Sequence, residues 1–234
     1  TMWGDEFEQK YVECEERKLY VTQIPARKLW FLILDAQIET GNPYMLYKDA
    51  ANAKSNQKHL GTIVCSNLCT EIIEFTSPSE TAVCNLGSIA LPMFVSPQTT
   101  EVPVHFDFTT LYAITYKLTQ NLNRIIDNTS YPVVEARTSN IKHRPIGIGV
   151  QGLHDCFIKM RYPFDSEGAR TLNMEIFETM YYASLQASCD LAKIDGFHES
   201  FPGSPASQGI LQFDMWKVTP SSRWDWPALK CEIL

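Results

Sequence analysis

Asn67, Cys69 and Glu71 stand two residues apart in the stretch SNLCTEI, positions 66–72. In an extended backbone, residues i, i+2 and i+4 point to one side. If 66–72 is extended, an amide, a thiol and a carboxylate converge on one small volume. A carboxylate can act as general base toward a hydroxyl. Its charge disfavours a neighbouring thiolate and keeps the sulfur as S–H. The trio therefore suits hydrogen-atom chemistry at sulfur better than nucleophilic attack. A cysteine-protease arrangement would also need a histidine, and His59, the nearest in sequence, has no evident reason to approach. The plainer alternative is a buried cysteine packing as a small hydrophobe, with Asn67 and Glu71 satisfying loop backbone.

Other stretches carry weaker signals. Cys84, in TAVCNLGSIAL, is either a core cysteine on a strand or half of a redox-active pair without an obvious partner. Gly147, Gly149 and Gly152 in GIGVQG match a dinucleotide-binding spacing. That motif needs a buried strand just before its first glycine, and NIKHRP is not one. Glycines inside a strand mark close approach of another backbone or a ligand instead. His59, His105, His143, His154 and His198 are scattered and give no zinc pattern. Trp216, Trp224 and Trp226 read as packing anchors.

The elements that must position these residues follow from periodicity and punctuation. Residues 5–18 predict a charged surface helix. Residues 23–40 predict a helix with Ala26, Trp30, Ile33 and Gln37 on one face, capped by Gly41 with Pro43 beyond. YMLYKD, 44–49, reads as a short buried strand, and 50–61 as polar loop. Residues 62–75 read as strand, extended loop, strand. SPSE, 77–80, is a turn. A strand is expected within 81–95, ending near Pro92, and then a loop, SPQTTEVPVH. Asp107 is expected to cap a helix to about Asn128 whose apolar face is Leu111, Ile114, Leu118, Leu122, Ile125 and Ile126. RPIGIGVQG, 144–152, predicts a strand or turn before a short helix through about Met160. Ser166 or Asp165 opens a long helix ending at Gly196 that buries Leu172, Ile176, Met180, Ala183, Ala187 and Leu191. The remainder is loop-rich, with one short helix. Strands alternating with helices give an α/β class and one domain or part of one.

Composition narrows the function classes. The 234 residues are 44% hydrophobic, ordinary for a packed globular chain, and carry a formal charge of 20 − 27 = −7. That argues against a nucleic-acid backbone as main partner. Seven cysteines, odd in number and irregular in spacing, point away from a secreted disulfide scaffold and toward a reducing compartment. With no CxxC pair, structural zinc is not expected. The N-terminus has no signal-peptide pattern, and no apolar run reaches membrane-spanning length. The chain begins with Thr1 and stops at KCEIL, which reads as a piece of something longer.

Taken together, ETGNPYMLYKDAANAKSNQKHLGTIVCSNLCTEI, AVCNLGSIAL, HRPIGIGVQGL and SPASQGILQFDMW resemble the large subunit of class I ribonucleotide reductases of the eukaryotic type, over about Trp3 to Trp226. The resemblance implies part of a ten-stranded α/β barrel with a finger loop, and 1–234 as a partial catalytic barrel domain. It implies reduction of ribonucleoside diphosphates to 2′-deoxyribonucleoside diphosphates by thiyl-radical chemistry. Cys69 would carry the transient radical and take the ribose 3′-hydrogen. Glu71 would take the 3′-hydroxyl proton, and Asn67 would bond the ribose hydroxyls. Asn67, Leu68, Cys69, Thr70 and Glu71 would line the substrate in a loop buried from solvent. Cys84 would be one of two cysteines supplying reducing equivalents, its partner lying upstream of residue 1. No cofactor would be bound in this chain. The radical would come from a metal-containing small subunit, and electrons from thioredoxin or glutaredoxin. Nucleotide effectors would bind outside these residues, which would be inactive alone; no direct contact with DNA or membrane is implied, and the location would be cytoplasmic. His154 and Cys156 stand where smaller apolar residues are common in that family, which bears on packing. Two alternatives are a cobalamin-dependent reductase with the same trio and a non-catalytic nucleotide-binding or interaction module.

Overall fold

The computed structural model describes residues 2–97 and 103–234. The expected loop at 96–105 lies partly outside them. Two charged or apolar helices come first, α1 (Gly4–Glu16) and α2 (Ala26–Thr40), and neither buries a residue. Pro25 occupies the N-cap of α2, which is why the helix starts there and not at residue 23. Gly41 closes it in the left-handed conformation, φ 74°.

The expected strand at 44–49 does not form. Tyr44, Met45, Leu46 and Tyr47 are exposed, and α3 (Lys48–Ala53) begins within that stretch. A strand needs a neighbour to pair its backbone, and none adjoins this segment among the described residues. The strands expected on either side of the loop within 62–75 are likewise absent, apart from a single bridge between Ser77 and Glu80 at the expected turn.

The centre is one strand–helices–parallel strand unit. β1 (Asn85–Ala90) pairs in parallel with β4 (Ile146–Gln151), from Asn85 opposite Ile146 to Ala90 opposite Gln151. Between them lie a short antiparallel pair, β2 (Val95–Ser96) with β3 (His105–Phe106), and then α4 (Phe108–Asn128) and α5 (Val134–His143). Asp107 caps α4 by accepting from the Thr110 N–H at 2.9 Å. On α4, Leu111, Leu122 and Ile126 are buried as expected, but Thr115 and Thr119 share that face while Ile114 and Ile125 are exposed. Thr119 can be buried because its hydroxyl donates back to the Thr115 carbonyl at 2.9 Å.

After β4 come α6 (Leu153–Met160) and the 29-residue α7 (Glu167–Asp195), capped by Ser166. α7 buries Leu172, Ile176, Met180, Ala183 and Ala187; Leu191 is only half-buried. Its first half closes the main core around Leu91, Phe94, Phe106, Leu111, Cys156 and Phe157. Its second half packs against α8 (Gln212–Trp216) and α9 (Trp226–Ile233), where Leu211, Trp226 and Leu229 form a second core. The C-terminal stretch thus holds two short helices, and α5 arises from a segment without a strong apolar period. Its buried residues, Ala136, Ser139, Asn140 and His143, are small or polar.

Candidate active site

The loop around Cys69 is anchored on both arms. Buried Asn52, at the end of α3, pairs with the incoming arm as a strand would: its amide donates to the Ile63 carbonyl at 3.1 Å and accepts from the Ile63 N–H at 2.7 Å. Gln57 holds the outgoing arm by accepting from the Phe75 N–H at 2.7 Å. The Phe75 ring lies where a Cβ on Gly61 would be, 2.6 Å from its Cε2, so the arms pack against each other only because residue 61 is glycine.

Between the anchors the backbone is not extended. The Thr70 N–H donates to the Asn67 carbonyl at 3.1 Å, closing a turn with Leu68 and Cys69 at its centre. Thr70 follows at φ 66°, a left-handed conformation rare for a β-branched residue. The base of the turn is tied twice more. Asn67 Oδ1 accepts from the Ile72 N–H at 3.0 Å, and the Ser66 hydroxyl donates to the Ile72 carbonyl at 2.7 Å. Simple alternation therefore fails across 67–71, because a turn that pairs its own backbone replaces a strand lacking a neighbour. The turn has Cys69 at its tip and Asn67 and Glu71 on its two sides. Asn67, Leu68, Cys69 and Glu71 are all exposed, contrary to the expectation of a buried loop, because no described element covers it. The Asn67 amide oxygen is engaged within the loop, which leaves its Nδ2 as a hydrogen-bond donor free among the described residues.

Cys84 lies half-buried just before β1, beside the loop's exit. Its sulfur is 3.4 Å from where a Cβ on Gly147 would stand, and the same Cβ would meet Leu86 at 2.6 Å. Gly147 thus answers for a close approach of two strands. Gly147 and Gly149 both lie inside β4, and Gly152, at φ 74°, turns the chain into α6 against Pro92. This is not a phosphate-cradling loop, where the glycines would precede the helix directly.

Burial pushes the Cys84 thiol up to about 12, with the negative charges of Glu74 and Glu71 adding to it. Glu74, three residues beyond Glu71, was not singled out by spacing. Its signal is an acid set between apolar Ile72, Ile73 and Phe75. Burial raises its carboxyl to about 7, and its Oε2 is buried without a hydrogen-bond partner.

The turn leading to Cys84 is fixed from below. Glu80 accepts from Lys142 Nζ at 2.6 Å and bonds the buried His143 Nε2 at 2.7 Å, both on α5. A cavity of about 1430 Å³ opens on the α7 side, lined by Arg144, His198 and Gln212 among others. It reaches Glu74 but none of Asn67, Cys69, Glu71 or Cys84. His59 bonds the Ser200 carbonyl at 2.8 Å, away from Cys69. All seven cysteines are free thiols. Among the described residues, no group of three or more His, Cys, Asp or Glu is arranged to hold a metal ion. No helix there is long and apolar enough to cross a membrane.

The chain is similar to known proteins over nearly its whole length. The ribonucleoside-diphosphate reductase large chain of Schizosaccharomyces pombe is 54% identical over 232 residues, 99% of this chain and 28% of its own length. The ribonucleoside-diphosphate reductase large subunit of Plasmodium falciparum is 59% identical over the same shares. Among solved structures, the Actinobacillus ureae class Id ribonucleotide reductase alpha subunit superposes with TM-score 0.62 and 31% identity, covering 83% of this chain and 39% of that one. The chain thus spans a little over a quarter of the curated relatives it matches. The family profile of the ribonucleotide reductase barrel domain covers residues 1–234 without remainder, and the chain belongs to that family.

Proposed function

We propose that this chain is the finger-loop portion of a catalytic barrel that reduces ribonucleoside diphosphates at the 2′ position. The observation that supports the reading is the tied turn, which has Cys69 at its tip and Asn67 and Glu71 on its two sides. A thiyl radical at Cys69 takes the 3′-hydrogen of the ribose: an S–H bond forms and C3′–H breaks. Glu71 accepts the 3′-hydroxyl proton, which makes loss of the 2′-hydroxyl easier. Asn67, through its free Nδ2, orients a ribose hydroxyl. In the net reaction the 2′ C–O bond is replaced by C–H, water leaves, and two thiols become a disulfide. Cys84 is one of the two thiols. Leu68 and Thr70 complete the wall beside the sugar.

The rest of a protein of the relatives' length has to enclose this exposed loop, since a carbon or sulfur radical survives only away from solvent. Residues 1–234 are in this reading part of one barrel domain, with the effector sites elsewhere. A separate metal-containing small subunit supplies the radical, and a dithiol protein of the thioredoxin or glutaredoxin kind reopens the disulfide. Free thiols throughout fit a reducing, cytoplasmic setting.

The test is Cys69→Ser in the full-length parent, assayed with its small subunit. Turnover is expected to fall by at least about 10³-fold, as for loss of a group that acts on the reacting atom, with nucleotide binding retained. Turnover within tenfold of the parent, or activity that needs added cobalamin in place of the small subunit, would rule the reading out.

A further inference from the structure

We propose that Asn52 and Gln57 are positioning residues for Cys69, gripping both arms of its loop and setting where the thiol stands. The inference rests on the reading of Cys69 as the group that takes the ribose 3′-hydrogen. Asn52 is 3% exposed, and both its amide hydrogens and its oxygen are engaged. Nδ2 donates to the Ile63 carbonyl at 3.1 Å and to the Lys48 carbonyl at 3.0 Å. Oδ1 accepts from the Ile63 N–H at 2.7 Å. Gln57 Oε1 accepts from the Phe75 N–H at 2.7 Å. The two grips are equally far from the thiol along the chain, since 69 − 63 = 6 and 75 − 69 = 6.

A backbone arm without a strand beside it has N–H and C=O groups to satisfy. Among the described residues no strand pairs with 62–75, and these two amides take a strand's place. They are fixed in their turn. The bond to Lys48 holds Asn52 back on α3. The Gln57 N–H donates to the Ser55 hydroxyl at 2.9 Å, and its carbonyl accepts from the Leu60 N–H at 2.9 Å. Gln212, on α8, donates to the Lys54 carbonyl at 3.0 Å and to Asn56 Oδ1 at 2.6 Å. His59 Nε2 bonds the Ser200 carbonyl at 2.8 Å. The stretch that grips the loop is thereby moored to residues 200–212. Both arms of the Cys69 loop are referred to that part of the fold rather than to the loop's own contacts.

A tie that only stabilises the fold and a tie that positions the thiol differ in what their loss does. Hydrogen transfer needs the reacting atoms about 3–3.5 Å apart, and a misplacement of about 1 Å can lower the rate on the order of a hundredfold. A residue that touches no substrate leaves substrate binding alone, so loss of a positioning grip lowers kcat and not KM.

The experiment uses the full-length holoenzyme with its small subunit, assayed with a ribonucleoside diphosphate carrying hydrogen or deuterium at C3′. Gln57→Met keeps the side chain's length and removes the acceptor, whereas Gln57→Glu keeps the acceptor. Gln57→Met is expected to lower kcat by about a hundredfold with KM unchanged. It is also expected to raise the deuterium effect on kcat, because hydrogen transfer becomes the slow step. Gln57→Glu is expected to rescue both the rate and the isotope effect. Asn52→Ala is expected to act in the same sense as Gln57→Met; if it fails to fold, seen as loss of nucleotide binding, the Gln57 pair decides. Three results overturn the proposal: a Gln57→Met enzyme with the parent's kcat, a lowered kcat with an unchanged isotope effect, or a Gln57→Glu enzyme as impaired as Gln57→Met. Cys69→Ser in the same assay separates the two readings. If that enzyme turns over, the role of Cys69 itself fails. If it does not, parent-like Gln57→Met removes the grips alone.

Discussion

Single atoms decide how near the two sulfurs' neighbourhoods come. A Cβ on Gly147 would stand 2.6 Å from Leu86 and 3.4 Å from the Cys84 sulfur. Gly147→Ala therefore has to push β1 and β4 apart or displace Leu86. It is expected to cost about 1–3 kcal/mol, the range for overpacking, read as a lower midpoint in urea, and to alter the alkylation rate of Cys84. An unchanged midpoint would mean that Leu86 simply rotates away. The glycine spacing was legible in the sequence, and so was its meaning, because the residues before Gly147 excluded a phosphate loop. The spacing of Asn67, Cys69 and Glu71 is visible in the sequence, but the turn that carries it is not. Alternation presumes a strand, and a strand presumes a partner elsewhere in the chain. Glu74 escaped notice because a carboxylate next to two isoleucines reads as a surface residue until burial is known.

At the level of elements, the turn before β1 depends on α5. Glu80 joins Lys142 and the fully buried ring of His143, so removing its carboxylate strands both partners. Glu80→Ala is expected to destabilise by about 3 kcal/mol, as when a buried pair loses one member, and to speed amide exchange at 77–84 before other regions. A loss under about 0.5 kcal/mol would place the pair among ordinary surface bridges. Long amphipathic helices were readable from the sequence because caps and period agree: Asp107 and Ser166 both do what their residue types suggest. α5 was not, because its inward face is Ala136, Ser139, Asn140 and His143. Polar groups satisfied by neighbours leave no hydrophobic rhythm to detect. The expected strand at 44–49 failed for the opposite reason, being apolar residues with nothing here to lie against.

Across the whole molecule, two groups make stability depend on pH in opposite senses. Glu74 is raised from 4.5 to about 7, so its protonated form favours the fold, and this contribution is lost as pH rises through about 7. His198 is lowered by burial from 6.5 to about 4, so its contribution is present above 6.5 and lost as pH falls toward 4. Glu74→Gln is accordingly expected to gain stability over the parent at about pH 8 relative to about pH 5, measured by denaturant unfolding at both. Equal differences at the two values would show that Glu74 is solvated. The bare loop and the exposed Trp30, Phe31 and Leu32 of α2 belong with the short share of the relatives' length that this chain spans. Ser66, Asn67, Asn52 and Gln57 tie the Cys69 turn through hydrogen bonds within the chain. On the proposed reading, a sugar docking there would meet a backbone already tied during folding, and little affinity would be spent on ordering the loop. In that reading only the incoming ligand would have to settle.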